Sequence, residues 1–197
     1  MQELNRLKIC TNFILKNSHR GEYLSDRFSV DSRRINDNQV FISLEPDMVK
    51  NFININHAIA RGASAFITPF FTTRKRIRTS IPFLILRDIK KIYVELYKSD
   101  LNNREPKTIT IGITGTNGKT STVLSLAQAL TYQNKKVGII SSEGAGIHPN
   151  LDENEYTTPP IDINYKYLRS FCKKKCDYAI IECSSQGLHQ GRLDGIH

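Results

Sequence analysis

The residues best equipped for chemistry lie in one glycine-rich stretch, Gly112-Ile-Thr-Gly-Thr-Asn-Gly-Lys-Thr-Ser-Thr122. Gly118-Lys119-Thr120 supplies what a bound polyphosphate needs: a backbone free to bend, an ammonium to reach the β- and γ-phosphates, and a hydroxyl to ligate Mg²⁺. The spacing departs from G-x-x-x-x-G-K-[ST]. The first glycine of that pattern would fall on Ile113, whereas Gly112 comes one place early and Gly115 two places late. Gly115 and Gly118 can still turn successive N–H groups inward as an anion nest. The plain alternative is a glycine-rich strand-to-helix turn that holds nothing.

Flanking elements decide between these readings. Thr108–Thr114 is an apolar, β-branched run that predicts a buried parallel strand. After the loop, Val123, Leu124, Ala127 and Leu130 fall at helical spacing. A strand over 136–140, a helix over 161–172 and a strand over 178–181 ending at Glu182 follow. Strand, loop, helix, strand, helix, strand predicts a parallel sheet with crossover helices, and the loop then sits where a strand hands over to a helix N-terminus. Upstream, 40–44, 63–68 and 81–86 read as strands. Phe52, Ile55, Ile59 and Ala60 mark a helix stopped by Gly62, and Ile89, Ile92, Tyr93, Leu96 and Tyr97 mark another. The polar segment 102–107 reads as a linker. The fold expected is α/β: a small N-terminal α/β substrate domain over 1–105, then a truncated P-loop parallel-sheet ATPase domain over 106–197.

Composition narrows the class. The chain has 197 residues, 39% hydrophobic, with a formal net charge of +9, which favours polyanionic partners. The basic residues are dispersed; the densest groups, Arg74-Lys75-Arg76 with Arg78 and Lys173-Lys174-Lys175, read as solvated faces, not as a nucleic-acid site. Cys10, Cys172, Cys176 and Cys183 form no C-x-x-C pair and have no histidine at zinc-finger spacing, so free thiols in a reducing compartment are expected. The N-terminus lacks an apolar signal region, and no run approaches membrane-spanning length. A cytoplasmic protein with neither a membrane nor a nucleic-acid partner is the expectation.

The stretch GITGTNGKTST closely resembles the ATP loop of the Mur ligases, G-x-x-G-T-N-G-K-[ST]; folylpolyglutamate synthetases carry a related loop. Asp31-Ser-Arg33, followed by VFISL and FININHAIARGASAFI, resembles the N-terminal domain of the family members that add the third residue of the peptidoglycan stem peptide. Tyr156-Thr-Thr-Pro159 and Glu182-Cys-Ser-Ser-Gln-Gly-Leu-His-Gln-Gly-Arg192 are similar to the family patterns N-T-T-P and E-V-S-S-H-G-L-x-Q-x-R. The resemblance implies ATP contacts at Gly115, Thr116, Asn117, Gly118, Lys119, Thr120 and Ser121, with Lys119 catalytic. It implies Mg²⁺ on Thr120 and Glu182, and a UDP-N-acetylmuramoyl-dipeptide substrate held by Val30, Ser32, Thr157, Thr158, Ser184, Gln190 and Arg192. The chemistry agrees: a carboxylate at a strand end beside a phosphate loop is where Mg²⁺ is coordinated, and arginine and hydroxyls suit carboxylates and a diphosphate. Asp31 and Arg33 have a second reading, as the brace of a turn.

Three departures stand out. Tyr156 replaces asparagine, Gln186 replaces the histidine of S-S-H-G, and EPDMVKNF stands where the family has a glycine-rich segment ending in D-G. The resemblance also implies parts beyond residue 197: further strands, an N-x-x-x-D-H-L-D segment, a carbamylated metal-binding lysine and a C-terminal amino-acid-binding domain. No residue here is therefore assigned to the incoming amino acid, and a separate polypeptide carrying those parts is an expected partner. The function implied is ATP-dependent amide-bond formation through an acyl phosphate. The alternatives are a binding-only relative without turnover and an unrelated phosphate-loop NTPase acting on nucleic acid.

Overall fold

Residues 2–21, 23–69, 79–102 and 108–196 are described in the computed structural model, in which the chain divides into two units, Met1–Asp100 and Leu101–His197. The Arg74–Arg78 cluster and residues 103–107 of the expected linker lie outside the described residues.

In the first unit, α1 (Gln2–Asn17) precedes β1 (Phe28–Ser29), β2 (Val40–Ile42), α2 (Met48–Ala60), β3 (Ala65–Pro69), β4 (Phe83–Leu86) and α3 (Ile89–Asn102). The four strands pair in parallel in sequence order. Parallel strands need crossovers, and α2 provides one by laying Ile55 and Ala58 against Phe41 and Phe66 of the sheet. The inward face of α2 is Asn51, Ile55 and Ala58, while Phe52 and Ala60, read as apolar-face residues, are exposed. Asn51 is buried because its side chain bonds Thr68 Oγ1 on β3 at 3.1 Å, and that polar pair rotates the helix away from the purely apolar phase. Gly62 ends the helix at φ +92°, as expected. Tyr93 and Tyr97 of α3 stack edge-on against Phe28, with Phe28–Tyr97 centroids 5.2 Å apart. Helix α1 was not foreseen. Only Cys10 and Ile14 of its inner face are fully buried, and Leu4, Ile9 and Leu15 point outward, so its apolar stripe is weak.

The second unit runs β5 (Ile109–Ile113), α4 (Lys119–Tyr132), β6 (Val137–Ser141), β7 (Gly144–Ile147), β8 (Asn150–Asp152), α5 (Ile161–Lys173), β9 (Tyr178–Glu182) and the short α6 (Ser185–His189). The sheet order is β5-β9-β6-β7-β8. Strands β5, β9 and β6 are parallel, as expected; β7 and β8 add an antiparallel hairpin that a glycine-, histidine- and proline-containing stretch did not announce. Side-chain alternation sends Ile139 and Ile180 to α4, where Val123 and Ala127 meet them, and Ile140, Ala179 and Ile181 to α5, where Leu168 and Phe171 meet them. Both faces are thus covered. Among the described strands β5 is an edge, and Ile109 is 57% exposed, so the expected burial of this strand is only partial. The lysines at 173–175 are exposed, as read.

Candidate functional site

Three parallel strands bring their C-terminal ends together, and the register fixes what stands there. Ile113 of β5 pairs with Glu182 of β9, and Ile140 of β6 pairs with Ile181. The glycine loop leaves β5 at that point and becomes α4 at Lys119. Strand C-terminal ends beside a helix N-terminus are where ligands bind in such sheets. The first-turn N–H groups of α4 have no acceptor within their own helix, so they can serve an anion.

Gly118 caps the helix at φ +73°, and a Cβ there would meet nothing within 4 Å. Conformation, not crowding, therefore calls for glycine, and the space above it is open. Lys119 Nζ donates to Gly115 O at 3.0 Å, folding the ammonium over the loop. Thr116, Asn117 and Ser121 are exposed around it.

Glu182 is 2% exposed at the end of β9. Its Oε1 accepts from Thr120 Oγ1 at 2.9 Å, and its Oε2 accepts from the Ser142 backbone N–H at 3.0 Å and Ser142 Oγ at 3.1 Å. The Thr120 and Ser142 hydroxyls are 3.0 Å apart. Each carboxylate oxygen is thus satisfied, which buried charge requires. Carboxylate and hydroxyl oxygens are the hard donors that Mg²⁺ takes. Among the described residues no group of three or more His, Cys, Asp or Glu could hold a metal ion; the Thr120 hydroxyl and the Glu182 carboxylate are oxygen donors that could hold one with a nucleotide. Ser142 was not foreseen, although its place one residue past β6, at a strand end like Glu182, is a usable signal. Burial pushes the thiol of Cys183, beside Glu182, up from its ordinary range.

The segment 156–159 is fastened to the same strand end. Thr158 is 1% exposed. Its hydroxyl donates to Glu182 O at 2.7 Å and accepts from Ser184 N at 2.9 Å. Its carbonyl accepts from Arg192 Nη1 at 2.7 Å. Ser184 caps α6, its Oγ taking the Gly187 N–H at 3.0 Å. Arg192 Nε donates to Gln190 Oε1 at 2.8 Å. Thr158, Ser184, Gln190 and Arg192 are therefore brought together, and Thr157 adjoins them half-buried. Two buttresses went unread in the sequence. Asn164 of α5, fully buried, donates to Pro159 O at 2.7 Å and Arg192 O at 3.0 Å. Asn154 donates to Ser141 O at 3.0 Å and Tyr156 O at 2.6 Å.

Val30 and Ser32 belong to the first unit, half-buried and buried respectively. There Asp31 caps the 3₁₀ turn Ser32–Arg34, and Arg33 grips both its carboxylate oxygens at 3.0 and 2.9 Å. The Arg33 hydrogen bond holds the Asp31 carboxyl below its usual range. Of the two readings of this pair, the turn brace is the one the geometry displays.

Comparison with known proteins agrees in direction. Residues 113–197 match the family described as Mur ligase middle domain. The chain is 33% identical over 172 residues to the UDP-N-acetylmuramoyl-L-alanyl-D-glutamate--2,6-diaminopimelate ligase of Janthinobacterium sp. (strain Marseille), covering 85% of this chain and 34% of that protein. It is 29% identical over 185 residues to the ligase of the same name from Bacillus licheniformis, covering 92% and 37%. Among solved structures, one of a ligase with that same name superposes with a TM-score of 0.67 at 30% identity, covering 85% of this chain and 34% of the other. The MurF ligase from Thermotoga maritima in complex with ADP shares the fold, with a TM-score of 0.52 at 19% identity over 89% of this chain and 36% of the other. The chain spans about a third of the length of the curated relatives it matches. Among the described residues no helix is long and apolar enough to cross a membrane.

Proposed function

We propose, for a chain related to the Mur ligases through its middle-domain match over residues 113–197, that it carries the nucleotide-binding and precursor-holding parts of an ATP-dependent peptidoglycan-precursor ligase. The substrate is UDP-N-acetylmuramoyl-L-alanyl-D-glutamate, and the reaction adds the third stem residue. The observation that carries this reading is the contact of Thr120 Oγ1 with buried Glu182 Oε1 at 2.9 Å, with Thr158, Ser184 and Arg192 anchored to the same strand end. Phosphoryl donor and acceptor must lie side by side for in-line transfer, and the gathering of these residues at one strand end supports the reading.

In this reading the open loop at Gly118 and the α4 N-terminus receive the phosphates. Lys119 leaves its resting contact with Gly115 O to meet charge developing on the transferring group. Mg²⁺, were it bound there, would supply positive charge against that of the transferring phosphoryl group. Thr120 and Glu182 are the side chains that would hold it, and Ser142 keeps Glu182 oriented. Arg192 takes an anionic group of the precursor, whose carboxylate attacks the γ-phosphate to give an acyl phosphate and ADP. The amine of the incoming residue then displaces phosphate to form the amide. The relatives are named for 2,6-diaminopimelate, and no residue of this chain is assigned to that amino acid.

Calorimetric titration of the folded chain with UDP-N-acetylmuramoyl-L-alanyl-D-glutamate, and separately with Mg-ATP, tests the reading. Both ligands should bind, Arg192→Ala should weaken binding of the first, and Lys119→Ala should weaken binding of the second. A folded chain that binds neither ligand refutes it.

A further inference from the structure

Position 156 is where the chain departs from the motif it otherwise follows, and the structure gives the tyrosine there a specific neighbour. The guanidinium carbon of Arg192 lies 5.7 Å from the centre of the Tyr156 ring, over its face. Arg192 Nε is taken by Gln190 Oε1 and one Nη1 hydrogen by the carbonyl of buried Thr158. A guanidinium has five N–H groups. Two in-plane bonds plus a ring against one face fix its plane and leave three donors, with Nη2 whole. Carboxylates and phosphates are recognised by such a fixed planar fork.

The Tyr156 backbone that carries the ring is itself held. Asn154 Nδ2 bonds Tyr156 O at 2.6 Å and Ser141 O at 3.0 Å, and the Tyr156 N–H lies 3.4 Å from Asn154 Oδ1. Ser141 ends β6, next to the Ser142 that bonds Glu182. Arg192 is therefore oriented from two sides, through Thr158 from the end of β9 and through Tyr156 from the end of β6. An asparagine at 156 could offer a hydrogen bond but no face.

We propose that Tyr156 is a positioning residue, an aromatic platform that presents Arg192 to an oxyanion of the muramoyl-peptide precursor, carboxylate or phosphate. This rests on the reading of Arg192 as the precursor's anion-binding arginine. Tyr156 acts through Arg192 by stacking, so its hydroxyl is dispensable and its ring is not.

The test is a double-mutant cycle on the full chain. Affinity for UDP-N-acetylmuramoyl-L-alanyl-D-glutamate is measured by calorimetry for the unaltered chain, Tyr156→Phe, Tyr156→Ala, Arg192→Ala and the Tyr156→Ala/Arg192→Ala pair, each checked for folding by thermal unfolding. Tyr156→Phe should stay within about 2-fold of the unaltered chain. Tyr156→Ala should weaken binding roughly 2–5-fold, the usual worth of such a stack, and should have no further effect once Arg192 is removed. Equal losses in both backgrounds, or no loss on Tyr156→Ala, overturn the proposal. A readout without ligand separates its failure from that of the functional reading. The Arg192 Nε–H resonance should carry a ring-current shift that Tyr156→Phe keeps and Tyr156→Ala removes, and absence of that shift in the unaltered chain also overturns the proposal. If the shift is present but no precursor binds, the functional reading falls and takes the oxyanion with it, leaving a packing contact.

Discussion

Gly187→Ala is the substitution whose outcome follows most directly from the packing. A Cβ at 187 would lie 2.8 Å from both Thr158 Cβ and Cγ2 and 3.0 Å from Ser184 Oγ. Thr158 cannot rotate away cheaply, because its hydroxyl and carbonyl are bonded to Glu182, Ser184 and Arg192. Overpacking of this kind costs about 1–3 kcal/mol. Alanine in a helix returns about 0.5–1 kcal/mol through the unfolded chain. The net is a loss of up to roughly 2.5 kcal/mol, and for a unit of this size 1 kcal/mol moves Tm by about 4–8 °C. The displacement falls on the Thr158–Arg192 contact, whereas the Gly118 loop and Lys119 are untouched. Calorimetry should therefore find weaker precursor binding with Mg-ATP binding held within about 2-fold, alongside the lowered Tm. A variant of unchanged Tm and unchanged precursor affinity would refute the reading that Thr158, packed against Gly187, anchors Arg192.

Ser142→Ala removes the hydroxyl from Glu182 Oε2 but keeps the backbone N–H there. We expect a stability change within about 1 kcal/mol and a several-fold weaker nucleotide affinity in Mg²⁺ that disappears in chelator, read by calorimetry in both conditions. Gly138→Ala would set a Cβ 2.5–2.7 Å from the Phe171 ring, so a loss of about 1–3 kcal/mol in urea unfolding is expected. Asp31→Asn keeps a competent helix cap but removes the charge gripped by Arg33, so at neutral pH it should cost at most about 1 kcal/mol, since Arg33 is largely exposed. The Asp31 pKa is lowered from 3.8 on folding. Its stabilisation is therefore present above pH 3.8 and is lost as pH falls through the lower folded value. Urea midpoints across that window should converge for the two proteins as pH drops, and a constant difference would contradict the pairing.

What the sequence made legible, and what it did not, divides by the range of the interactions. Each crossover helix and parallel strand of the second unit announces itself through local period, and Gly118-Lys119-Thr120 through a fixed spacing, because these depend on neighbours in the chain. Glu182 was legible for the same reason, as the polar end of an apolar strand. The phase of α2 was misread because Asn51, a polar residue, is buried by a partner 17 positions away, which no apolar period can reveal. The hairpin β7–β8 was missed because its strands hold four and three residues. Asn164 and Asn154 share this property with Asn51. Asn164 and Asn154 each tie a nearby backbone carbonyl to a distant one, 28 positions away at Arg192 for Asn164 and 13 away at Ser141 for Asn154. A side-chain amide is a cheap way to tie irregular loops, since its two N–H groups can each satisfy a carbonyl that no regular ladder reaches. In this chain the groups assigned to chemistry sit at a strand end, at the first turn of α4 and in the motif segments beside them, where period and motif betray them. The groups that aim them are amides in helices and loops, where composition alone reads as solvent-facing polarity.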